Sequence, residues 1–206
     1  MAIYLLRHGG TEWNTVGRFQ GQQDSPLTAQ GRTQATAMGR RLATHLAMGE
    51  AGAVVPTLWA SALGRSGHTA ALVAAELGLA PETVRRDARL NEVSLGSWNG
   101  LTDGEMMARD EAAWTAWRRT ADPWIAAAPG GESRADMARR AQAWLDEHVP
   151  AVPQMAPHVV VGHGAFNRVL RGLYCGFGRD FIMALDSFSH DAILILEHGQ
   201  ETWLDG

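Results

Sequence analysis

The sequence contains no lysine: all 18 cationic side chains among its 206 residues are arginines. Without a lysine amine there is no Schiff-base chemistry, no attachment point for pyridoxal phosphate, no Walker-type P-loop and no kinase lysine. Any anion must be held by arginine, histidine, backbone N–H groups or a metal. Cysteine is almost as scarce. Cys175 is the only one, which excludes an internal disulfide and a zinc cluster built on thiolates. It lies in the apolar stretch Leu173-Tyr174-Cys175 and reads as a small buried hydrophobe rather than a nucleophile. Long apolar runs are missing too. None approaches the roughly 20 residues needed to span a bilayer, and residues 1–6 are too short for the core of a signal peptide. The expectations are no membrane partner and a cytoplasmic location. A formal charge of −4 provides no broad basic field, so nucleic acid is not expected as a partner.

With 46% hydrophobic and 19% charged residues the chain is neither disordered nor fibrous. Residues 2–6 form an apolar run that breaks into glycines, the pattern of a buried strand opening into a loop. Thr28 caps a predicted helix to about residue 47, with Ala35, Met38, Leu42 and Leu46 at helical spacing. A second strand is predicted over 54–60, a helix over 64–77, a short strand over 83–86 and a helix over 102–117. Ser133 with Asp136 resembles a capping box opening a helix to about His148. Residues 149–157 hold three prolines and read as a connector. A third buried strand, 159–161, breaks at Gly162-His163-Gly164 into a helix through Tyr174. Residues 192–197 and 201–204 form a predicted hairpin around Gly199. Strands alternating with helices imply an α/β domain with a mostly parallel sheet.

Two strand ends terminate in Arg7-His8-Gly9 and Gly162-His163-Gly164, a third delivers Arg65, and a further segment delivers Glu92. Ligands of parallel α/β sheets bind beyond the carboxyl ends of the strands. Gathered there, two His, two Arg and one Glu would make an anion site with an acid beside it, since arginine forks match phosphate oxygens. Each residue also has a plainer reading: a structural histidine, a solvated arginine at a helix start, a loop carboxylate with no partner.

The run Arg7-His8-Gly9-Gly10-Thr11-Glu12-Trp13-Asn14 resembles the signature of the histidine phosphatase superfamily, the phosphoglycerate-mutase-like proteins. Further similarities follow in order. They are Gly17-Arg18-Phe19-Gln20-Gly21 with Asp24-Ser25-Pro26-Leu27-Thr28, then Ser61-Ala62-Leu63-Gly64-Arg65, Leu90-Asn91-Glu92, Pro129-Gly130-Gly131-Glu132-Ser133 and Val161-Gly162-His163-Gly164. The resemblance spans nearly the whole chain. It implies a three-layer α/β/α fold with a mostly parallel central sheet, in one domain over residues 1–206 with a small cap-like region around 98–131. Gly10 departs from the usual polar residue, which leaves one side of the expected pocket without a polar side chain. Gly67 loosens a helix start.

The resemblance further implies that His8 is a nucleophile toward phosphorus. Arg7, Arg65 and His163 clamp the phosphoryl oxygens, with Asn14, Gln20, Gly21 and Gly164 completing the substrate site and Glu92 serving as proton donor. The expected partner is a small phosphorylated substrate; no cofactor and no metal are required, and a homodimer is left open. Phosphomonoester hydrolysis is preferred to mutase-type phosphoryl transfer. The chain ends directly after its last hairpin, and Gly96-Ser97-Trp98-Asn99-Gly100 resembles the phosphatase branch. A non-catalytic, phosphate-binding member is a third reading, disfavoured by the retained residues. Trp98, Trp114, Trp117 and Trp124 are read as packing between cap and body, or alternatively as an aromatic wall over the leaving group. Arg118-Arg119 and Arg139-Arg140 are read as solvated helix charges.

Overall fold

A computed structural model of the chain describes residues 1–149 and 156–204, so most of the predicted proline connector lies outside the described residues. In chain order the elements are β1 (Ile3–Arg7), α1 (Glu12–Thr15), α2 (Ala29–His45), β2 (Thr57–Ser61), α3 (Gly64–Glu76) and β3 (Arg85–Asp87). They continue with α4 (Asp103–Arg109), α5 (Glu111–Arg118), α6 (Arg134–His148), β4 (His158–Gly162), α7 (Gly164–Tyr174), α8 (Arg179–Ala184), β5 (Ile193–Glu197) and β6 (Gln200–Trp203). Six strands make one sheet in the order β3-β2-β4-β1-β5-β6. The four strands from β3 to β1 run parallel, and β5 and β6 close the sheet antiparallel.

Alternation along the strands builds the layers, because successive side chains point to opposite faces. Ile3, Leu5, Trp59, Val160, Leu194 and Leu196 face one way and pack with Met137, Ala141 and Trp144 of α6 and Phe166 and Leu170 of α7. Tyr4, Leu6, Leu58, Ala60, Val159 and Val161 face the other way, against Met38 and Leu42 of α2 and Ala70 and Val73 of α3. Each fully buried large side chain contributes about 1.5–3 kcal/mol. A third, smaller cluster joins Leu95, Trp98, Met106 and Ala128, with Trp114 and Trp117 against it.

Three sequence-based boundaries move. β2 begins at Thr57 rather than Val54: Val54 and Val55 are exposed, and pairing to β4 starts only with Thr57 opposite His158. The helix predicted over 102–117 is two helices, because Asp110 leaves helical geometry (φ −158°, ψ 88°) and its carboxylate caps α5 by accepting from Ala113 N. The short strand near residue 84 shifts to Arg85–Asp87, behind a 3-10 turn at Pro81–Thr83. α1 and α8 have too few residues to show a periodicity and were not anticipated. The Ser133–Asp136 capping box is present.

The loop after β1 is clamped by two helices. Gly9 N donates to Thr69 Oγ1 of α3, Gly10 N to Gln34 Oε1 of α2, and Thr28 N to Gly10 O. A Cβ on Gly9 would lie 2.2 Å from Gly31 O, and one on Gly31 would lie 2.0 Å from Gly10 O, so backbone meets backbone here. Position 10 points toward Gln34, with a Cβ 3.4 Å from its Oε1, and not into the cavity described below. The missing polar side chain expected from the sequence therefore leaves the cavity wall as it is. Gly67 is likewise a packing requirement: its Cβ would meet Arg86 Nη1, whose guanidinium caps Ser61 O and Leu63 O.

Gly31→Ala separates two opposing effects. Helix propensity favours alanine by about 1 kcal/mol, whereas a Cβ driven into an immovable carbonyl costs about 1–3 kcal/mol or more. Urea denaturation is expected to show net destabilisation; a rise in the unfolding midpoint would show that the helix moves freely off the loop.

Candidate active site

The parallel neighbours β1 and β4 are in register, with Arg7 opposite Gly162, so His8 and His163 emerge side by side at the carboxyl edge. β1 leads to α2 on one face and β4 to α7 on the other, which makes this gap a topological switch point. The two imidazoles lie 5.2 Å apart between centroids, and both are buried. His8 Nδ1 donates to Gly9 O at 2.8 Å. That bond leaves Nε2 with its lone pair, and Arg65 Nε approaches it at 3.3 Å. Burial first, then the Arg65 charge, pushes both histidines well below the ordinary value of 6.5. Nε2 accepts from that guanidinium, and a neutral imidazole is a competent nucleophile once an incoming anion takes the guanidinium over.

Arg65 is 3% exposed, so it is no solvated helix-start residue. It donates to Gly21 O at 2.8 Å, to Gln23 O and to Asp24 Oδ1 at 3.1 Å. Asp24 also accepts from Gly64 N and Arg65 N, capping α3 from outside because Leu63 at the N-cap has no side-chain oxygen. Gly21 takes φ +51°, and a Cβ there would collide with Asn99 Oδ1 at 1.8 Å. Arg7 donates from Nη1 to Phe188 O at 2.7 Å, while its buried Nε has no hydrogen-bond partner. The Glu92 carboxylate has partners: it accepts from Val93 N at 2.9 Å and from Ala165 N and Phe166 N at 3.1 Å each, on the N-terminal turn of α7. Asn91 Oδ1, accepting from Ala62 N, ties the same segment to the end of β2.

Arg7, His8, Asn14, Gln20, Gly21, Arg65, Glu92 and Gly164 line one cavity of about 400 Å³. His163 lies behind His8 and off that wall. Its Nε2 shares a 2.7 Å hydrogen bond with Ser61 Oγ, and its Nδ1 is buried without a partner. Asn14 Oδ1 is occupied by Thr11, and Gln20 Oε1 is buried and unpartnered. Of Trp98, Trp114, Trp117 and Trp124, Trp117 reaches the cavity wall, Trp98 is core with Trp114 packed against its cluster, and Trp124 packs on the body.

Several contributors were not anticipated. His190 lies 5.3 Å from the His8 ring and donates from Nδ1 to His8 O. It comes from an irregular loop with no periodic signal. Arg134 and Arg168 also line the cavity, each embedded in an ordinary helical pattern. Arg140 is not the solvated helix charge that its sequence context suggests. It pairs with Glu132 at 2.6 Å, donates to Arg89 O and Glu92 O, and covers the Phe166 ring. Arg118 pairs with Asp103 over Trp114 and Trp117, while Arg119 and Arg139 are exposed.

Strand, histidine and arginine together define an α/β protein that can hold an anion against a neutral imidazole. Residues 3–204 match the sequence model of the histidine phosphatase superfamily (branch 1). The chain is 38% identical over 169 residues to the glucosyl-3-phosphoglycerate phosphatase of Mycobacterium tuberculosis, covering 79% of this chain and 70% of that protein. It is 34% identical over 194 residues to the 2,3-bisphosphoglycerate-dependent phosphoglycerate mutase of Afipia carboxidovorans, covering 93% and 84%. The solved structure of the mycobacterial glucosyl-3-phosphoglycerate phosphatase with VO3 matches with a TM-score of 0.80 at 32% identity, covering 98% of this chain and 96% of that one. The chain belongs to the histidine phosphatase superfamily.

Burial of neutral histidines has a measurable consequence. His8 and His163 titrate lower in the folded state than in the unfolded chain, so below pH 6.5 the unfolded state binds the extra protons. Their stabilisation is complete above that pH and is lost as pH falls, by up to about 1.4 kcal/mol per pH unit for each. Burial lowers His158 and His190 in the same sense. Unfolding midpoints in urea should be level from pH 8 to 7 and fall between pH 6.5 and 5. A flat profile down to pH 5 would contradict the neutral assignment.

Proposed function

We infer that the protein is a phosphomonoesterase working through a phosphohistidine on His8 Nε2, with a small phosphorylated metabolite as substrate. What supports this most directly is His8: neutral, its lone pair fixed by the bond to Gly9 O, with Arg65 beside it and Glu92 on the same cavity wall. The relative bound to VO3 holds an oxoanion on the same fold.

In the first step His8 Nε2 attacks phosphorus. The N–P bond forms, the P–O bond to the leaving group breaks, and protonated Glu92 gives its proton to the departing oxygen. Arg7 and Arg65 neutralise the phosphoryl oxygens, and the α7 N-terminus at Gly164 adds backbone donors. His163, off the cavity wall with its Nε2 bonded to Ser61 Oγ, positions His8 rather than clamping the phosphoryl oxygens. In the second step the Glu92 carboxylate takes a proton from water as the new P–O bond forms and the N–P bond breaks, releasing phosphate. Other carboxylates are poorly placed: Glu132 is held by Arg140, and Glu12 is exposed and off the cavity. Asn14, Gln20 and Gly21 line the same cavity and contribute to holding the substrate.

A mutase reading is favoured by one observation, the 34% identity to a phosphoglycerate mutase over 93% of the chain. It differs only in the acceptor of the second step, a substrate hydroxyl instead of water.

Glu92→Gln tests the scheme. Esters with basic alkoxide leaving groups should slow by on the order of 10²–10⁴, and an activated phenolate ester should slow less in the first step. With that ester, rapid mixing should give a burst of phenol and trapped acid-labile phosphohistidine, which His8→Ala abolishes. Equal slowing of both ester classes with no trapped intermediate would remove Glu92 from the proton path. Since arginines do the neutralising here, EDTA should leave the rate unchanged; a loss restored by Zn²⁺, Mn²⁺ or Mg²⁺ would overturn that assignment.

A further inference from the structure

The nucleophile is also held from the β5 side of the sheet. β1 pairs with β5 as far as Leu6 opposite Ile193. Past that point His8 N still donates to Gly162 O, at 3.1 Å. The His8 carbonyl lies beyond the antiparallel ladder, in a residue only 3% exposed. A buried carbonyl left without a donor is unfavourable. Among the described residues its donor is a side chain, His190 Nδ1, at 2.6 Å.

His8 O and Gly9 N belong to one peptide unit, and Gly9 N donates to Thr69 Oγ1 of α3 at 3.0 Å. The unit is therefore gripped at both ends, by α3 and by the loop before β5. That grip bears on the imidazole. His8 Nδ1 donates to Gly9 O, so a unit free to tilt would shift this acceptor and turn Nε2 off a fixed line of attack.

His190 is itself on a short tether. Phe188 is buried in the core with its ring edge-on to Trp203, and its carbonyl accepts from Arg7 Nη1 at 2.7 Å. The Asp191 carbonyl accepts from Arg41 Nη1 of α2 at 2.9 Å, and its carboxylate accepts from Ser189 Oγ at 2.7 Å. One loop thus holds Arg7 by its side chain and His8 by its backbone. The His190 ring stands 5.3 Å from the His8 ring but does not line the cavity. Burial first and the Arg7 charge second push its pKa below 6.5. At neutral pH it therefore adds no cation beside a ring that turns cationic on phosphorylation.

We propose that His190 is a positioning residue for phosphoryl transfer: its Nδ1–H pins the His8–Gly9 peptide and so holds His8 Nε2 on the line of attack. This rests on the phosphomonoesterase reading of His8. The donor is what matters, so an asparagine amide, whose Nδ2 stands two bonds beyond Cβ as Nδ1 does in histidine, serves in its place.

Single-turnover release of nitrophenol from p-nitrophenyl phosphate, with enzyme in excess, separates orientation from binding. In His190→Leu the limiting rate should fall by about tenfold or more, the scale set by a misplaced reacting atom, while the Kd of inorganic phosphate moves by less than about threefold. His190→Asn should bring the rate back to within about threefold of wild type. A wild-type rate in the Leu variant, an Asn variant as slow as Leu, or a loss confined to Kd overturns the proposal. Should His190→Leu fail to fold, the isosteric pair His190→Asn and His190→Asp decides. A rate about tenfold lower in the Asp variant, which has no proton to donate, upholds the pinning role, and equal rates overturn it. If the wild type releases no nitrophenol and forms no phosphohistidine, the phosphatase reading falls. Hydrogen exchange at the Gly9 amide then decides the pinning. It stands if exchange is about tenfold faster in the variant without a donor than in wild type and His190→Asn, and it is overturned if the rates agree.

Discussion

Arg65 is the charge around which the site is organised. A guanidinium taken out of water is tolerated only when its donors are used. Here they reach His8, the carbonyls of Gly21 and Gln23, and Asp24. These contacts gather the end of β1, the 20–24 loop and the start of α3 around one planar fork. A lysine ammonium, with three donors on a flexible stem, could not replace that geometry. The all-arginine composition is thus more than a bias at this position. It matches a site whose cation must act as a fixed, multi-pronged connector.

Glu92 is organised separately. Glu92 is fixed by three backbone donors, two of them on α7, while Arg140 holds the carbonyl of the same residue and is itself anchored to Glu132. Glu92 and His8 therefore lie on different supports, Glu92 held by α7 with α6 on one face of the sheet, His8 at the end of β1 with α3 packed on the opposite face. The third cluster around Trp98 shares Val93 with the α6–α7 side of the core and presents Trp117 to the cavity.

Much of this was legible in the residues. Alternating or continuous apolar runs located β1, β4 and β5, and glycines after the runs marked where His8 and His163 leave the sheet. Ser133 and Asp136 announced α6. What escaped was set by tertiary contact rather than local pattern. Arg140 looks like any helix-surface arginine until Glu132 and Glu92 are folded against it. His190 reaches His8 from a loop with no periodicity. The break at Asp110 arises because a carboxylate that could continue one helix caps the next instead. Val54 and Val55 have the composition of a strand, but the register of β4 begins opposite Thr57 and gives them nothing to pair with.

The strand order bears on how the chain reaches this state. Among the described residues β1 pairs with β4 and β5 alone, and β4 also separates β1 from β2. Within these residues β1 therefore has no hydrogen-bonding neighbour until residues beyond 157 have emerged from the ribosome. Meanwhile the apolar run from Ile3 to Leu6 is an unpaired edge, the kind of segment that seeks intermolecular partners. Insertion of β4 between two earlier strands is a long-range closure with a large entropic cost, so folding is expected to be slow and late. The same step that brings Gly162 against Arg7 joins β1 to β2 through β4 and sets the two histidines side by side, tying acquisition of the site to that long-range closure.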